Sequence, residues 1–316
     1  MRVLLSGLIV AASALLAQAE SLKVAYNEWA GFTPVFVAAE KGFFKQAGAD
    51  VELVAFPGPG DSLPPLVAGH IDVSLTTPDN AILLAATADA KVRAIYMIDA
   101  SLGADALVAR GGIKKPADLK GKTVAVTEGE VNHLLLLKAL ESAGMSESDI
   151  RIVNMNPDDA GAALVAGSVD AAVTWEPWVS KAVSAGGTKV FTSADAPNLL
   201  LDVVATTEAV IEAKPEQLVG LIKGLDKAVR YMKTNPADAY ALAGKWLNIE
   251  GSEVEAMLGG VKIYTWEENM PLMGVGVETA GLIGPLESIA EFLKSRGKIR
   301  DTPDVAAMVV SSFLEE

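Results

Sequence analysis

The chain has no cysteine and only two histidines, His70 and His133, in 316 residues. The first absence excludes disulfides, thiolate nucleophiles and cysteine-ligated metals. The second leaves little for acid-base chemistry or imidazole-bound metal. His70 follows Gly69 at a helix end, where a partly positive ring suits the dipole. Basic residues are outnumbered 26 to 40, for a net charge of −14, which argues against nucleic acid and against an anionic membrane surface as partners. Also missing are His-Glu-x-x-His, Gly-x-Ser-x-Gly and the phosphate loop Gly-x-x-x-x-Gly-Lys-Ser/Thr. Gly274-Val275-Gly276 has no strand before it and no suitably placed acid, so it is no dinucleotide fingerprint. Neither an enzyme nor a cofactor or metal site is expected.

Long apolar runs are also lacking. After the first residues none approaches the roughly 20 needed for a membrane-spanning helix. Met1-Arg2-Val3, apolar Leu4 to Leu16 and Ala17-Gln18-Ala19 have the basic start, short apolar centre and small-x-small site of an export signal. Residues 1–19 are therefore expected to be removed outside the cytoplasm. The remaining roughly 297 residues suit two domains and a soluble monomer.

What is present is a repeat. Leu66 to Ser74 reads Leu-Val-Ala-Gly-His-Ile-Asp-Val-Ser, and Leu164 onward reads Leu-Val-Ala-Gly-Ser-Val-Asp-Ala-Ala. Upstream, Asp50-Val51-Glu52-Leu53-Val54 parallels Asp149-Ile150-Arg151-Ile152-Val153. Each copy reads as a buried strand, a helix closed by Gly69 or Gly167 in the left-handed conformation, and a second buried strand. That is a parallel crossover unit. Each second strand leads into a polar or aromatic loop, Thr76-Thr77-Pro78-Asp79 or Thr174-Trp175-Glu176-Pro177-Trp178. In open α/β sheets such loops bind ligands. Two similar lobes with facing strand ends describe a cleft.

Along the chain, strands are expected at Leu22 to Tyr26, Ala49 to Phe56, Asp72 to Thr76, Val92 to Ile98 and Ala106 to Arg110, completing most of a first lobe. Gly111-Gly112 opens the second lobe, and a strand from Leu200 to Thr206 returns the chain to the first. The expected division is 20–110 and 205–316 for lobe I and 111–204 for lobe II, with hinges near Gly111-Gly112 and Val204 to Thr207. Helices after Glu208 should brace lobe I.

Leu22 to Phe44 resembles the opening of periplasmic solute-binding proteins of the nitrate, taurine and aliphatic-sulfonate class. Pro116 to Lys122 resembles their Pro-x-Asp-Leu-x-Gly-Lys turn. Trp175-Glu176-Pro177-Trp178 is similar to their second-lobe aromatic motif, and Phe292-Leu293-Lys294 with Gly297-Lys298-Ile299 to their last helix end. The likeness implies an α/β, two-lobed periplasmic-binding-protein fold of type II, each lobe a mixed, mostly parallel sheet flanked by helices. It also implies a small solute held between closing lobes and an inner-membrane ABC permease as partner.

The loops at the strand ends, 26–34, 56–64, 76–82, 99–105, 127–133, 155–162 and 175–180, contain no Lys or Arg and many acids, Asp99 and Asp105 among them. This balance favours a cationic solute, with ring faces from Trp29, Phe32 and Trp175. The candidate ligand-binding residues are Glu28, Trp29, Phe32, Thr77, Asp79, Glu130, His133, Trp175, Glu176 and Asp202. Asp61, Asp79 and Asp158 also stand where helices begin, where acids act as caps. By resemblance to taurine binders, Asp202 matches the acid that takes the substrate's amine, and Glu130-Val131-Asn132 aligns with the segment that holds the sulfonate. Glu130 would repel that sulfonate. A small amine, guanidinium-type or nitrogen-rich solute is therefore expected first, and taurine, an aliphatic sulfonate or nitrate second. Likeness to binders of a pyrimidine thiamine precursor leaves a heterocycle stacked between Trp29 and Trp175 as a third expectation.

Overall fold

The computed structural model describes residues 20–88 and 90–315; the expected export signal lies outside them. The first half runs β1 (Leu22–Tyr26), α1 (Thr33–Glu40), α2 (Phe43–Gln46), β2 (Val51–Ala55), α3 (Leu63–Val67), β3 (Val73–Thr76), α4 (Pro78–Thr87), β4 (Val92–Ser101) and β5 (Ala106–Ala109). Then come β6 (Thr123–Val126), α5 (Val131–Ser142), β7 (Arg151–Asn154), α6 (Pro157–Ala166), β8 (Ala171–Thr174), α7 (Trp178–Ser184), β9 (Thr188–Thr192) and β10 (Leu201–Thr207). The C-terminal part is helical: α8 (Glu208–Ala213), α9 (Pro215–Thr234), α10 (Pro236–Leu247), α11 (Gly251–Leu258), β11 (Val261–Ile263), α12 (Trp266–Met273) and α13 (Ile283–Ser295). Proline in the first turn opens α1, α3, α4, α6, α9 and α10. Its fixed φ suits that turn, and its missing N–H would have had no partner there.

Two mixed sheets result. The first has the strand order β11-β4-β10-β3-β1-β2 and the second β7-β6-β8-β5-β9. In both, the strand that precedes the repeat lies between the repeat's two strands and parallel to them, β1 between β2 and β3, β6 between β7 and β8. The repeat extends to individual bonds. Asp72 accepts the Lys23 N–H at 2.8 Å, and Asp170 accepts the Thr123 N–H at 2.8 Å. The Thr76 hydroxyl donates to the Pro59 carbonyl at 3.2 Å, and that of Thr174 to Pro157 at 2.6 Å. Gly69 and Gly167 both close their helices at positive φ, 72° and 81°.

The lobe boundaries differ from the expected ones. β5 pairs with β8 and β9 in the second sheet, so the chain crosses between Ser101 and Ala106 and not at Gly111-Gly112. β10 already joins the first sheet at Leu201, so Val204 to Thr207 lie within a strand, beyond the point where the chain returns. Every residue of β5 is buried; an apolar run of that kind identifies a strand without saying which sheet it enters. β4 also runs past Ile98 to Ser101, making Asp99 a strand residue.

The C-terminal helices pack on the first lobe. Leu218, Leu221, Leu225 and Val229 form the buried face of α9 at helical spacing, and Gly220 and Gly224 let that helix approach Ala49 and Phe44 closely. Trp246 of α10 stacks on Phe36 with ring centroids 5.5 Å apart.

Candidate ligand-binding cleft

The carboxyl ends of β1 and β3 in one lobe and of β6 and β8 in the other converge on a cavity. It is lined by Asn27, Trp29, Pro59 and Thr77 from the first lobe, and by Glu130, Val131, Asn132 and Trp175 from the second. Ser101, Asp105, Leu200 and Asp202 line it from the two crossing segments. Its volume of about 30 Å³ is two to three times the ~10–15 Å³ that one water needs. The space holds two or three water-sized groups, and Pro59, Glu130 and Trp175 also line a wider opening of about 440 Å³ beside it.

The β10–β4 ladder sets Asp202 directly opposite Asp99. Opposed residues of an antiparallel pair project on the same face, and here the two carboxyl groups lie close enough to act on each other. Asp99 is fully buried and also accepts the Trp29 indole N–H, at 3.2 and 3.3 Å to its two oxygens. Burial pushes Asp99 up to about 7. Asp202 is raised well above the usual carboxylate range, by burial first and then by the charges of Asp99 and Asp105. With a second donor in Trp29, Asp99 is the more readily ionised of the two.

Asp105 and Glu130 add to the acidic wall. Asp105 accepts from Asn132 Nδ2 at 3.4 Å and is pushed up to about 6, mainly by burial. Glu130 precedes the first turn of α5 and makes no capping bond with its side chain. Burial, with Asp79 nearby, carries it to about 7 against the opposing charge of Lys298. No Lys or Arg is among the described residues lining the cavity. Among the described residues, no group of three acidic or histidine side chains converges as metal ligands would.

Asp79 was expected either to bind the solute or to cap its own helix. It instead reaches across the lobes, where its Oδ2 accepts the Val131 N–H at the start of α5, 3.2 Å away. Its Oδ1 is buried without a partner, and burial raises its pKa. A carboxylate of the chain thus meets the helix end where the resemblance had implied a sulfonate. Trp175 stands in the wall with its indole N–H donated to Asp158 at 2.9 Å. Thr77 also lines the cavity, and its hydroxyl accepts from Asn80 Nδ2 at 3.0 Å.

Four of the expected residues lie elsewhere. Phe32 is fully buried in the core of the first lobe, because the turn at Ala30–Phe32 carries its ring inward while Trp29 faces the cleft. His133 is fully buried, accepting the Gly129 N–H at Nδ1 and meeting Glu147 through Nε2 at 2.9 Å. It holds the loop before α5. Glu176 accepts the Ser180 N–H and hydroxyl at 2.9 and 3.0 Å, which ties down the first turn of α7. Glu28 is exposed on an outer opening beside Trp178 and Met257. Asp99 and Asp105 were read only as part of a general acidic balance. With β4 extended to Ser101, the alternation Asp99, Ser101 was the available signal for a shared face.

A family model described as NMT1/THI5 like matches residues 29–239. The chain belongs to the NMT1/THI5-like family. Among its relatives, this NMT1/THI5-like protein is 30% identical to the taurine-binding periplasmic protein of Escherichia coli over 320 residues, covering 95% of this chain and 94% of that one. Its fold is similar to that of the periplasmic aliphatic sulphonate binding protein SsuA from Escherichia coli. The TM-score is 0.77 at 22% identity, over 92% of each chain. The desulfurization enzyme DszB shares the fold at a TM-score of 0.71 and 15% identity, over 94% of this chain and 98% of that one. The two-lobed periplasmic-binding-protein architecture expected from the sequence is thus the architecture of this NMT1/THI5-like protein.

Proposed function

We propose that this NMT1/THI5-like protein is the solute-binding component of an ABC importer, exported by residues 1–19, acting as a monomer and delivering its solute to an inner-membrane permease. Its solute on this reading is a small zwitterionic aminosulfonate of the taurine class, with the ammonium group at Asp202. The observation that carries the reading is Asp202 itself, an acid in the wall of a small cavity between Trp29 and Trp175 with no described basic residue to neutralise it. A desolvated carboxylate pairs strongly with an ammonium. The 30% identity to a taurine-binding protein over nearly the whole chain supports the aminosulfonate over the simple amine expected first from the sequence. The sulfonate would lie towards α5, using the Asn132 side chain and polar groups such as Thr77.

A second reading, a cationic amine or guanidinium without an anionic end, is favoured by one observation. Asp79 already takes the Val131 N–H, and Glu130 stands beside it. A binding role is preferred over catalysis because the cavity wall offers no Cys, His, Lys or Arg among the described residues, although a relative in fold is an enzyme. Isothermal titration with taurine, ethylammonium, ethanesulfonate and nitrate decides between the readings. Taurine should bind best. Binding of ethylammonium with taurine excluded would establish the second reading, and tight binding of ethanesulfonate or nitrate alone would remove Asp202 from the ligand.

A further inference from the structure

The Asp99–Asp202 pair is more than a source of negative charge. The two residues are register partners in the middle of a sheet, where opposed like charges are destabilising. Around them the described titratable and charged groups are Asp105 from the first crossing segment, Asp79 from α4, Glu130 from the start of α5 and Tyr264 after β11. Two lysines stand next to this group, Lys298 against Glu130 and Lys262 over the Tyr264 ring, and neither is among the charges that shift Asp99 or Asp202. The local donors are the Trp29 indole, bonded to both oxygens of Asp99, and the carboxyl proton of the pair itself. Gly31 secures the arrangement, because a β-carbon there would collide with Trp29 Nε1 and the Asp99 carboxylate. Of the two acids, Asp202 faces the cavity and Asp99 lies behind it, fully buried.

We infer that Asp99 is a positioning residue of the ammonium site. It keeps a proton on Asp202 in the free protein, and the incoming ammonium takes that proton's place, so that capture of one solute molecule releases one proton to the solvent. The balance is simple. The Asp202 carboxylic acid and the solute cation become a carboxylate–ammonium pair and one hydrated proton; no bond other than O–H is broken. The pair can thus be buried close to single ionisation, yet present two negative charges once a cation arrives. An anionic or neutral solute gains nothing from the exchange and leaves the proton where it is. The inference rests on the reading of an ammonium-bearing solute.

The test combines two measurements. Titration calorimetry with taurine and with ethylammonium, in phosphate and in Tris at one pH, reads proton release as a buffer-dependent heat. Above about pH 7, where Asp99 has lost its own proton, the expected result is close to one proton released, with affinity rising about tenfold per pH unit towards about pH 8.5. In Asp99→Asn the release and the pH slope should fall away while binding remains measurable. In Asp105→Asn they should persist. Carboxyl-carbon NMR titration of the protein without solute should show an aspartate titrating far above the ordinary range, absent in Asp202→Asn and moved downward in Asp99→Asn, where burial still raises it in part. Buffer-independent heats for a solute that binds, or an unchanged release in Asp99→Asn, would overturn the inference, as would aspartates that all titrate in the ordinary range. If neither probe binds and the raised aspartate is still found, the solute reading has failed and the shared proton stands. Should Asp99→Asn not fold, the wild-type heats and the NMR comparison with Asp202→Asn decide the matter.

Discussion

Arg296 grips Glu147 with both arms of its guanidinium, Nη1 to Oε2 and Nη2 to Oε1, each at 2.7 Å. The bridge ties the end of α13, a helix packed on α4 of the first lobe, to the segment before β7 in the second. Glu147 Oε1 also meets His133 Nε2, whose other nitrogen accepts the Gly129 N–H. Glu147 thus bears on both the relation of the lobes and the loop that presents Glu130. The bidentate Arg296 bond is the main force holding its carboxyl below the usual range.

Arg296→Ala should loosen that tie. Because both side chains are partly exposed, 29% and 30%, the cost should be only about 1 kcal/mol, a fall of roughly 2–4 °C in Tm. Solution scattering without solute should show a larger radius of gyration than in the wild type. Unchanged scattering would mean that the bridge does not restrain the lobes.

Stability of the solute-free protein should fall between pH 5 and pH 8. Asp99, Asp105 and Glu130 have raised values, about 7, about 6 and about 7. Their contribution is therefore complete below the unfolded carboxylate range and is lost as pH rises through those values. His133 opposes this. Burial lowers its pKa, so its contribution is present above about 6.5 and lost as pH falls below it. Three carboxyls outweigh one imidazole, and Tm by calorimetry should be several degrees higher at pH 5.5 than at pH 8. A flat or rising profile would show that these acids ionise without cost.

Asp202→Asn keeps the shape of the cavity and removes its charge. Affinity for taurine or ethylammonium should drop at least ~30-fold, the lower end of the ~2–5 kcal/mol seen on removing one partner of a buried charge pair. Ethanesulfonate, with no ammonium, should be little affected. Equal losses for all three in calorimetry would make Asp202 structural.

Trp175 is held at the cavity by Asp158 and is only partly buried. Trp175→Ala should weaken an ammonium solute about 5- to 30-fold, corresponding to ~1–2 kcal/mol for a ring beside a desolvated cation. The Tm without solute should change by less than about 3 °C. A large Tm loss with unchanged affinity would return Trp175 to the core.

Gly31→Ala tests the packing behind the site. Its β-carbon would overlap Trp29 Nε1 and Asp99, so the Trp29–Asp99 bond must break or the turn must shift. A cost of roughly 1–3 kcal/mol is expected, with a greater loss of solute affinity than of fold. Intrinsic fluorescence of Trp29, compared with Trp29→Phe, should report the displaced indole. Wild-type affinity in this variant would separate the Trp29–Asp99 contact from binding.

Much of the cleft is legible in the sequence. Trp29, Thr77, Glu130, Trp175 and Asp202 follow from a rule about strand ends together with the family likeness, and all five line the cavity. The misplaced residues fail for local reasons that a linear pattern does not carry. Trp29 and Phe32 are three residues apart in one aromatic loop, and a single turn of 3-10 helix sends one ring to the cleft and the other to the core. His133 lies near the cleft in sequence, yet its helix face turns it towards Glu147 and Phe292.

The sequence by itself determined the α/β crossover units, their duplication and the acidic character of the cleft, because burial periodicity, helix-closing glycines and charge are properties of a segment and its neighbours. Tertiary structure alone decided which sheet Ala106–Ala109 joins, that Asp99 stands opposite Asp202, and that Asp79 reaches the far lobe. These depend on pairing between segments up to a hundred residues apart. Strand pairing and lobe contact are selected by the packing of whole surfaces, so no stretch of chain holds that information alone.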